Sequence, residues 1–154
     1  VLDQLIGLNY FNVFGPNEEH KAFMRSVVSK SFEQISQSGE MTLFKSHRPE
    51  YRDGEQQRDF LYVKDAVNMT IWLAQSPQSA GLFNLGNGVA RTWLDLGNAM
   101  FKALGKEPQI RFVDMPDILR ERNTNTSPRQ KSTNCENMDT QMKCFPWRKR
   151  CETM

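Results

Sequence analysis

The chain has 154 residues, of which 38% are hydrophobic and 25% are charged, and its formal net charge is +2. This length suffices for one hydrophobic core, and the near-neutral charge predicts neither a nucleic-acid partner nor an anionic membrane surface. We expect no membrane association, because no apolar run approaches the roughly 18 residues that a transmembrane helix needs.

Apolar segments of strand length and of helix length alternate along most of the chain, which predicts an α/β fold. Gly-Pro at 15–16 ends the first strand, and Gly39 ends the first helix. Asp65 and Thr92 are the predicted N-caps of the next two helices. The predicted strands cover 6–12, 41–46, 58–63, 81–85 and 109–113, and the predicted helices cover 22–38, 65–75 and 92–104.

Two of these helices carry an apolar stripe at helical spacing, which predicts the face that each turns to the core. The stripes are Met24, Val28, Phe32 and Ile35 in the first helix, and Trp93, Leu96, Met100 and Leu104 in the third.

The pattern stops after Arg122. Residues 123–154 are polar, show no sustained period and hold all three cysteines, so we predict a disordered tail. The cysteines form no Cys-x-x-Cys pair and have no histidine nearby, so no metal site is predicted. The absence of cysteine from the rest of the chain suits a reducing compartment.

Asn12 and Lys21 flank the Gly-Pro turn at the end of the first strand. Side chains at such a strand end lie where α/β proteins bind ligands. Asn can bond a sugar hydroxyl, and Lys can bond a phosphate or act as a base. The alternative is that Asn12 caps a turn and Lys21 is only solvated.

A second candidate group, rich in cations, extends from the end of the second predicted strand through the following loop to the start of the third. Clustered cations of this kind suit a diphosphate, which arginine can bind with two hydrogen bonds. A solvated charged loop is the alternative, although Arg58 opens a strand and is more directed than the others. The group comprises Lys45, Ser46, His47, Arg48, Arg52 and Arg58.

Gly86-Asn87-Gly88 also follows a predicted strand. It is interpreted as a plain turn rather than a nucleotide loop, because Arg91 stands where the third glycine of Gly-x-Gly-x-x-Gly would be.

Three segments together resemble the C-terminal half of extended short-chain dehydrogenase/reductases that act on nucleotide sugars. They are Tyr-Phe-Asn-Val-Phe-Gly-Pro at 10–16, Arg-Asp-Phe-Leu-Tyr-Val-Lys-Asp at 58–65 and Phe-Asn-Leu-Gly-Asn-Gly at 83–88. The resemblance implies the C-terminal part of a Rossmann-type fold with the smaller substrate-binding subdomain.

Further segments are similar to the ADP-L-glycero-D-manno-heptose 6-epimerase branch of that family. They are His-Lys at 20–21, Leu-Phe-Lys-Ser-His-Arg-Pro at 43–49 and Met-Pro-Asp-Ile-Leu-Arg at 115–120. The resemblance implies a cytoplasmic, homo-oligomeric isomerase of lipopolysaccharide synthesis that uses NADP to oxidise and reduce C6 of an ADP-heptose.

The resemblance also assigns roles to residues. Lys21 would be an acid/base residue that contacts the cofactor, and Val13 would line the cofactor. The residues expected to hold the ADP-sugar are Asn12, Phe44, Lys45, Ser46, His47 and Arg58.

Some positions depart from the pattern of that branch. Asn9 replaces an arginine, Phe23 replaces a smaller or polar residue that contacts substrate, and Lys30 replaces a histidine. The Gly-rich loop and the Tyr-x-x-x-Lys motif of the family are expected upstream of residue 1. We therefore expect residues 1–122 to form the substrate-binding portion of an enzyme and to be inactive alone.

The tail at 123–154 differs from the continuation that the resemblance implies. If residues 123–130 were encoded by AAT ACC AAT ACT TCA CCC AGG CAG, a choice of codons that the amino-acid sequence permits, reading from the third base would give Tyr-Gln-Tyr-Phe-Thr-Gln-Ala, which is that continuation. Our hypothesis is a single-nucleotide insertion or deletion, or a sequencing error, near codon 122.

Three other interpretations remain open at this point. The chain could belong to another nucleotide-sugar epimerase or dehydratase of the same superfamily. It could also be a non-catalytic fragment that binds a nucleotide sugar through the basic loop and Arg58, or one that does not fold stably alone.

Overall fold

A computed structural model describes residues 5–77 and 79–116. The tail at 123–154, with its predicted disorder and proposed frame change, lies outside these residues. No helix within the described ranges is long and apolar enough to cross a membrane. In chain order the elements are β1 (Ile6–Tyr10), β2 (Asn12–Phe14), a 3₁₀ helix (Glu19–Met24), α1 (Val27–Ser38), β3 (Met41–Phe44), β4 (Gln57–Tyr62), α2 (Val63–Ala74), β5 (Gly81–Leu85), β6 (Ala90–Thr92), α3 (Trp93–Ala103) and β7 (Ile110–Val113).

The strand pairing is mostly parallel, which confirms the predicted α/β class. β1 pairs with β5, β2 with β4, and β3 with β7, each in parallel. β6 adds an antiparallel pairing to β4, with Arg58 opposite Arg91. Parallel strands need crossover connections, and the helices between them supply these.

The first predicted strand, over 6–12, is two strands. β1 follows β5 as far as Tyr10, whereas β2 pairs with β4 from Asn12. Phe11 lies between them, is buried, and donates its N–H to Leu85 O at 2.9 Å. The prediction of one strand was wrong because an apolar run does not reveal a change of pairing partner.

The first helix begins later than predicted. Ala22 adopts φ 46° and ψ −119°, which interrupts the 3₁₀ helix, and Ser26 caps α1 by accepting the Ser29 N–H at 3.1 Å. Met24 is therefore 71% exposed and off the predicted stripe. The predicted stop is confirmed, since Gly39 is left-handed at φ 75°.

Of the two predicted N-caps, the one at Thr92 is confirmed and the one at Asp65 is wrong. Tyr62 is the N-cap residue of α2 and makes no side-chain cap bond, so the predicted Asp65 cap lies one turn too late. The Thr92 cap is confirmed: its Oγ1 accepts the Asp95 N–H at 2.9 Å, and Asp95 Oδ2 accepts the Thr92 N–H at 3.0 Å. This reciprocal pair satisfies two helix donors.

β4 lies between two hydrophobic clusters. Phe60 and Tyr62 point into one cluster, which α1 and α3 cover, while Leu61 points into the other, which α2 covers. A strand with apolar contacts on both faces needs a nearly continuous hydrophobic sequence. This explains why Phe-Leu-Tyr-Val at 60–63 shows no polar alternation.

Candidate functional site

A cleft of about 340 Å³ opens beside the end of β3, the start of β4 and the start of α3. Three predicted substrate residues, Phe44, His47 and Arg58, lie on its wall. The full lining is Val27, Thr42, Leu43, Phe44, His47, Arg48, Tyr51, Gln56, Gln57, Arg58, Trp93 and Met115.

Two guanidinium groups give this cleft its charge. Burial lowers the pKa of Arg58, and the nearby positive charge of Arg48 lowers it further. Arg58 also donates from Nη1 to Gln57 O at 2.7 Å, which fixes its orientation. An anion bound by both arginines would offset their mutual repulsion, and a diphosphate has the charge and the acceptors to do so.

Lys45 and Ser46 are not among the residues that line this cleft. Lys45 Nζ lies 3.2 Å from Asp114 Oδ1, and the pair is exposed. Ser46 donates its N–H to Asp53 Oδ1 at 2.7 Å and its hydroxyl to Arg48 O at 3.0 Å. Ser46 therefore shapes the loop that carries Arg48, and the predicted substrate contacts of Lys45 and Ser46 stay predictions.

Aromatic residues that the sequence did not single out complete the wall. Trp93 lies at the start of α3, stacks edge-on against Phe60 at 5.2 Å between ring centroids, and lines the cleft with Tyr51. Tyr51 carried a signal, since an aromatic residue amid the charged loop 47–57 is unusual. Trp93 looked like an ordinary member of a helix stripe.

Asn12, Val13 and Lys21 form a second group, and none of them lines the cleft. Asn12 Nδ2 donates to Asp59 O at 3.1 Å, and Val13 is half-buried against the cluster under α2. The Lys21 side chain is 46% exposed, and its Nζ lies 3.7 Å from Glu18 Oε2. Their predicted roles toward substrate and cofactor stay predictions.

Glu18 is a buried acid that the sequence analysis missed. Its carboxylate accepts hydrogen bonds from the Ser26 N–H at 2.7 Å, the Ser26 hydroxyl at 2.7 Å and the Gly15 N–H at 3.3 Å. Burial alone raises the pKa of Glu18, but these bonds together with the Lys21 charge outweigh burial and lower that pKa below its ordinary value.

Gly86-Asn87-Gly88 is a structural turn, as predicted. The buried Asp59 carboxylate accepts the Asn87 N–H at 2.7 Å and the Gly88 N–H at 2.9 Å. Burial raises the pKa of Asp59, and these two bonds partly oppose the rise. A Cβ on Gly86 would come within 2.5 Å of Asp59 Oδ2 and 2.6 Å of Phe11 Cδ2, so glycine is needed there for space.

Parallel strand pairs beside an arginine-lined cleft are typical of α/β proteins that bind an anionic ligand. Residues 4–86 match the model of the NAD dependent epimerase/dehydratase family. The chain belongs to this family, and the predicted Rossmann-type relationship is confirmed.

Comparison with individual proteins is more specific than the family model. The chain is 54% identical over 119 residues to the ADP-L-glycero-D-manno-heptose-6-epimerase of Nitratidesulfovibrio vulgaris (strain DP4), which covers 77% of this chain and 37% of that protein. The predicted resemblance to the ADP-heptose epimerases is thereby confirmed.

Solved structures of related epimerases have a fold similar to that of this chain. The Helicobacter pylori ADP-L-glycero-D-manno-heptose-6-epimerase is 28% identical with a TM-score of 0.62, covering 73% of this chain and 33% of that one. The UDP-N-acetylglucosamine 4-epimerase from Methanobrevibacter ruminantium M1 is 27% identical with a TM-score of 0.61, covering 73% and 34%. The match thus spans 33–37% of the length of these relatives.

Proposed function

We propose that this chain is the substrate-binding part of an NADP-dependent ADP-heptose 6-epimerase. The 54% identity to the named epimerase supports the activity. The observation that carries the assignment of the site is the cleft in which Arg48 and Arg58 face a common space.

The cleft would hold the ADP portion of the substrate. Arg48 and Arg58 would bind the diphosphate, and His47 would add a donor at the same wall. Tyr51 and Trp93 offer aromatic surfaces that an adenine ring can contact, because flat rings stack with little loss of conformational entropy.

The sugar would lie toward the end of β2. The amide nitrogen of Asn12 is bonded to Asp59 O, which leaves its oxygen as the atom that would accept a hydrogen bond from a sugar hydroxyl. Lys21 would exchange a proton with the oxygen on C6 as that carbon is oxidised and then reduced.

The residues near the end of β2 fit part of a cofactor site. The half-exposed Lys21 ammonium can bond a ribose hydroxyl or phosphate, and Val13 offers an apolar surface for a ring. When bound, NADP supplies a reversible hydride acceptor, which oxidation of C6 to a carbonyl and reduction from the opposite face require. We propose that the family's Gly-rich loop and Tyr-x-x-x-Lys motif belong to sequence upstream of residue 1.

The proposal extends to the setting of the enzyme. An ADP-heptose is an activated precursor of the lipopolysaccharide core, so we place the protein in the cytoplasm. We also propose that the full-length enzyme is a homo-oligomer, as the resemblance implies.

A substrate panel tests this function. Full-length enzyme that contains this sequence should interconvert the two C6 epimers of ADP-heptose. Chromatography of the nucleotide sugars measures the conversion. It should leave UDP-N-acetylglucosamine and dTDP-glucose unchanged. NADP should support the reaction better than NAD when each is added to cofactor-depleted enzyme.

The second candidate is a 4-epimerase that acts on a UDP-sugar. The comparable structural similarity to the UDP-N-acetylglucosamine 4-epimerase supports it. Conversion of a UDP-sugar without conversion of ADP-heptose in the same panel would select this candidate.

A further inference from the structure

Glu18 is a buried acid outside the cleft. It is 5% exposed, although an ionised carboxylate is costly to bury unless its environment compensates for lost water. Its oxygens have that compensation from Gly15, Ser26 and Lys21.

These partners connect three parts of the chain. Gly15 directly follows β2, and Ser26 directly precedes α1, so the carboxylate joins the end of a strand to the start of a helix. Lys21 lies in the 3₁₀ helix between them. Its N–H donates to Glu18 O at 2.9 Å, and its Nζ lies 3.7 Å from Glu18 Oε2.

Lys21 is therefore held to Glu18 through both its backbone and its side chain. Of the other three bonds to the Glu18 carboxylate, those from the Gly15 N–H and the Ser26 hydroxyl meet Oε1, which an amide oxygen could replace. The Ser26 N–H meets Oε2, the same oxygen that faces Lys21 Nζ. The ammonium is the partner that gains most from a full negative charge.

We propose that Glu18 is a positioning residue that fixes the Lys21 ammonium relative to Asn12 and the end of β2. This inference rests on the proposed function, in which Lys21 handles the proton at the sugar oxygen. Glu18 acts through Lys21 and touches neither sugar nor cofactor. Loss of its charge should leave the lysine present but free to move away from the reacting oxygen.

Glu18→Gln in the full-length enzyme tests the proposal. We expect kcat to fall on the order of 10-fold to 100-fold, as misplacement of a catalytic group by about 1 Å can cause. The Kd for ADP-heptose should stay within about twofold, because the residues that bond the Glu18 carboxylate, Gly15, Lys21 and Ser26, are not among those that line the cleft. Glu33→Gln is the matched control: it removes the charge from an exposed carboxylate that pairs with Arg25 at 2.8 Å, and it should leave kcat unchanged.

A double-mutant cycle separates positioning from a purely structural role. In a Lys21→Met background, Glu18→Gln should have little further effect on the residual rate, because the group that it positions is gone. An equal loss of rate in both backgrounds, or a parallel rise in Kd, would overturn the proposal. An unchanged kcat for Glu18→Gln would overturn it as well.

Ser26→Ala provides a second route if Glu18→Gln fails to fold. It removes the hydroxyl that bonds the carboxylate and that also caps α1, while keeping the charge of Glu18. Loss of the cap should lower stability, and kcat should fall several-fold with Kd unchanged. A normal kcat for folded Ser26→Ala would contradict the inference. A wild-type enzyme that does not epimerise ADP-heptose would instead contradict the proposed function, which makes the two failures distinguishable.

Discussion

Among single residues, Arg58 gives the strongest evidence that the cleft binds an anion. Its guanidinium is partly buried beside a second arginine, an arrangement that opposes folding and that a bound anion would offset. The structure shows what the sequence could only indicate: Arg48 and Arg58, ten positions apart, face one cleft.

Arg58→Ala should weaken the binding of ADP-heptose. Loss of a hydrogen bond between charged groups costs about 1.5–3 kcal/mol, which corresponds to a roughly 10-fold to 150-fold rise in Kd. Thermal stability should hold or rise slightly, since one of two repelling charges is removed. Isothermal titration calorimetry of the full-length enzyme checks this, with Arg111→Ala, an exposed arginine on β7, as the control. A Kd equal to that of the control would contradict the assignment of the cleft.

Glu18 gives a pH dependence whose sign follows from its lowered pKa. The folded state holds this carboxylate ionised more strongly than the unfolded state does. Its contribution to stability is therefore present above the ordinary glutamate pKa and is lost as pH falls through the lowered folded value.

We expect the stability difference between wild type and Glu18→Gln to shrink as pH falls below about 4 to 5, where an ordinary glutamate takes up its proton. Urea unfolding of both full-length proteins across pH 3 to 7 measures it, at roughly one-unit steps. A difference that stays constant with pH would show that the Glu18 charge does not stabilise the fold.

At the scale of elements, the turn after β5 depends on close contact with Asp59. This explains why Gly86-Asn87-Gly88 resembles a phosphate loop in composition without acting as one: the Asn87 and Gly88 N–H groups already bind an internal carboxylate. A loop whose donors are satisfied in this way has few left for a phosphate.

Gly86→Ala should destabilise the protein by about 1–3 kcal/mol, because the new methyl group overlaps both Asp59 and Phe11. Gly39→Ala is a useful comparison: it adds only the strain of a positive φ at 75° and meets no atom within 4 Å, so its cost should be nearer 1 kcal/mol. Thermal melts of the two variants check the order. Equal losses would mean that Asp59 and Phe11 move aside.

Sequence patterns predicted the elements well where the signal was local. Gly39 and Thr92 have the conformations that their residue types favour, and β5 and β7 lie where apolar runs predicted them. The failures are non-local. No pattern at Phe11 indicates that one strand passes from β5 to β4, and the three-residue β6 exists only because β4 is there to pair with it.

In the candidate site, too, the sequence predicted the residues with a local signal and missed those that depend on the fold. Phe44, His47 and Arg58 were predicted and do meet in one cleft, whereas Trp93 comes from a helix 35 positions beyond Arg58. Glu18 escaped notice because a glutamate in a polar stretch gives no sign of burial. Its role depends on Gly15 and Ser26, which only the folded chain brings together.

At the scale of the whole molecule, the chain matches a part of its relatives, spanning 37% of the Nitratidesulfovibrio protein. Sequencing the coding DNA tests the hypothesis of a shifted reading frame for residues 123–154. We expect a shifted frame from about codon 122 that encodes Tyr-Gln-Tyr-Phe-Thr-Gln-Ala followed by an amphipathic helix. A single open frame with no such alternative would end the hypothesis.

The proposed reaction oxidises and reduces C6 of an ADP-heptose. It is tested most directly by following one C6 epimer in D₂O with full-length enzyme, using proton NMR and mass spectrometry. The hydrogen that leaves C6 as hydride returns to the same carbon, so we expect formation of the other epimer with no gain of deuterium at C6. Deuterium at C6, or no epimer formed at all, would contradict it.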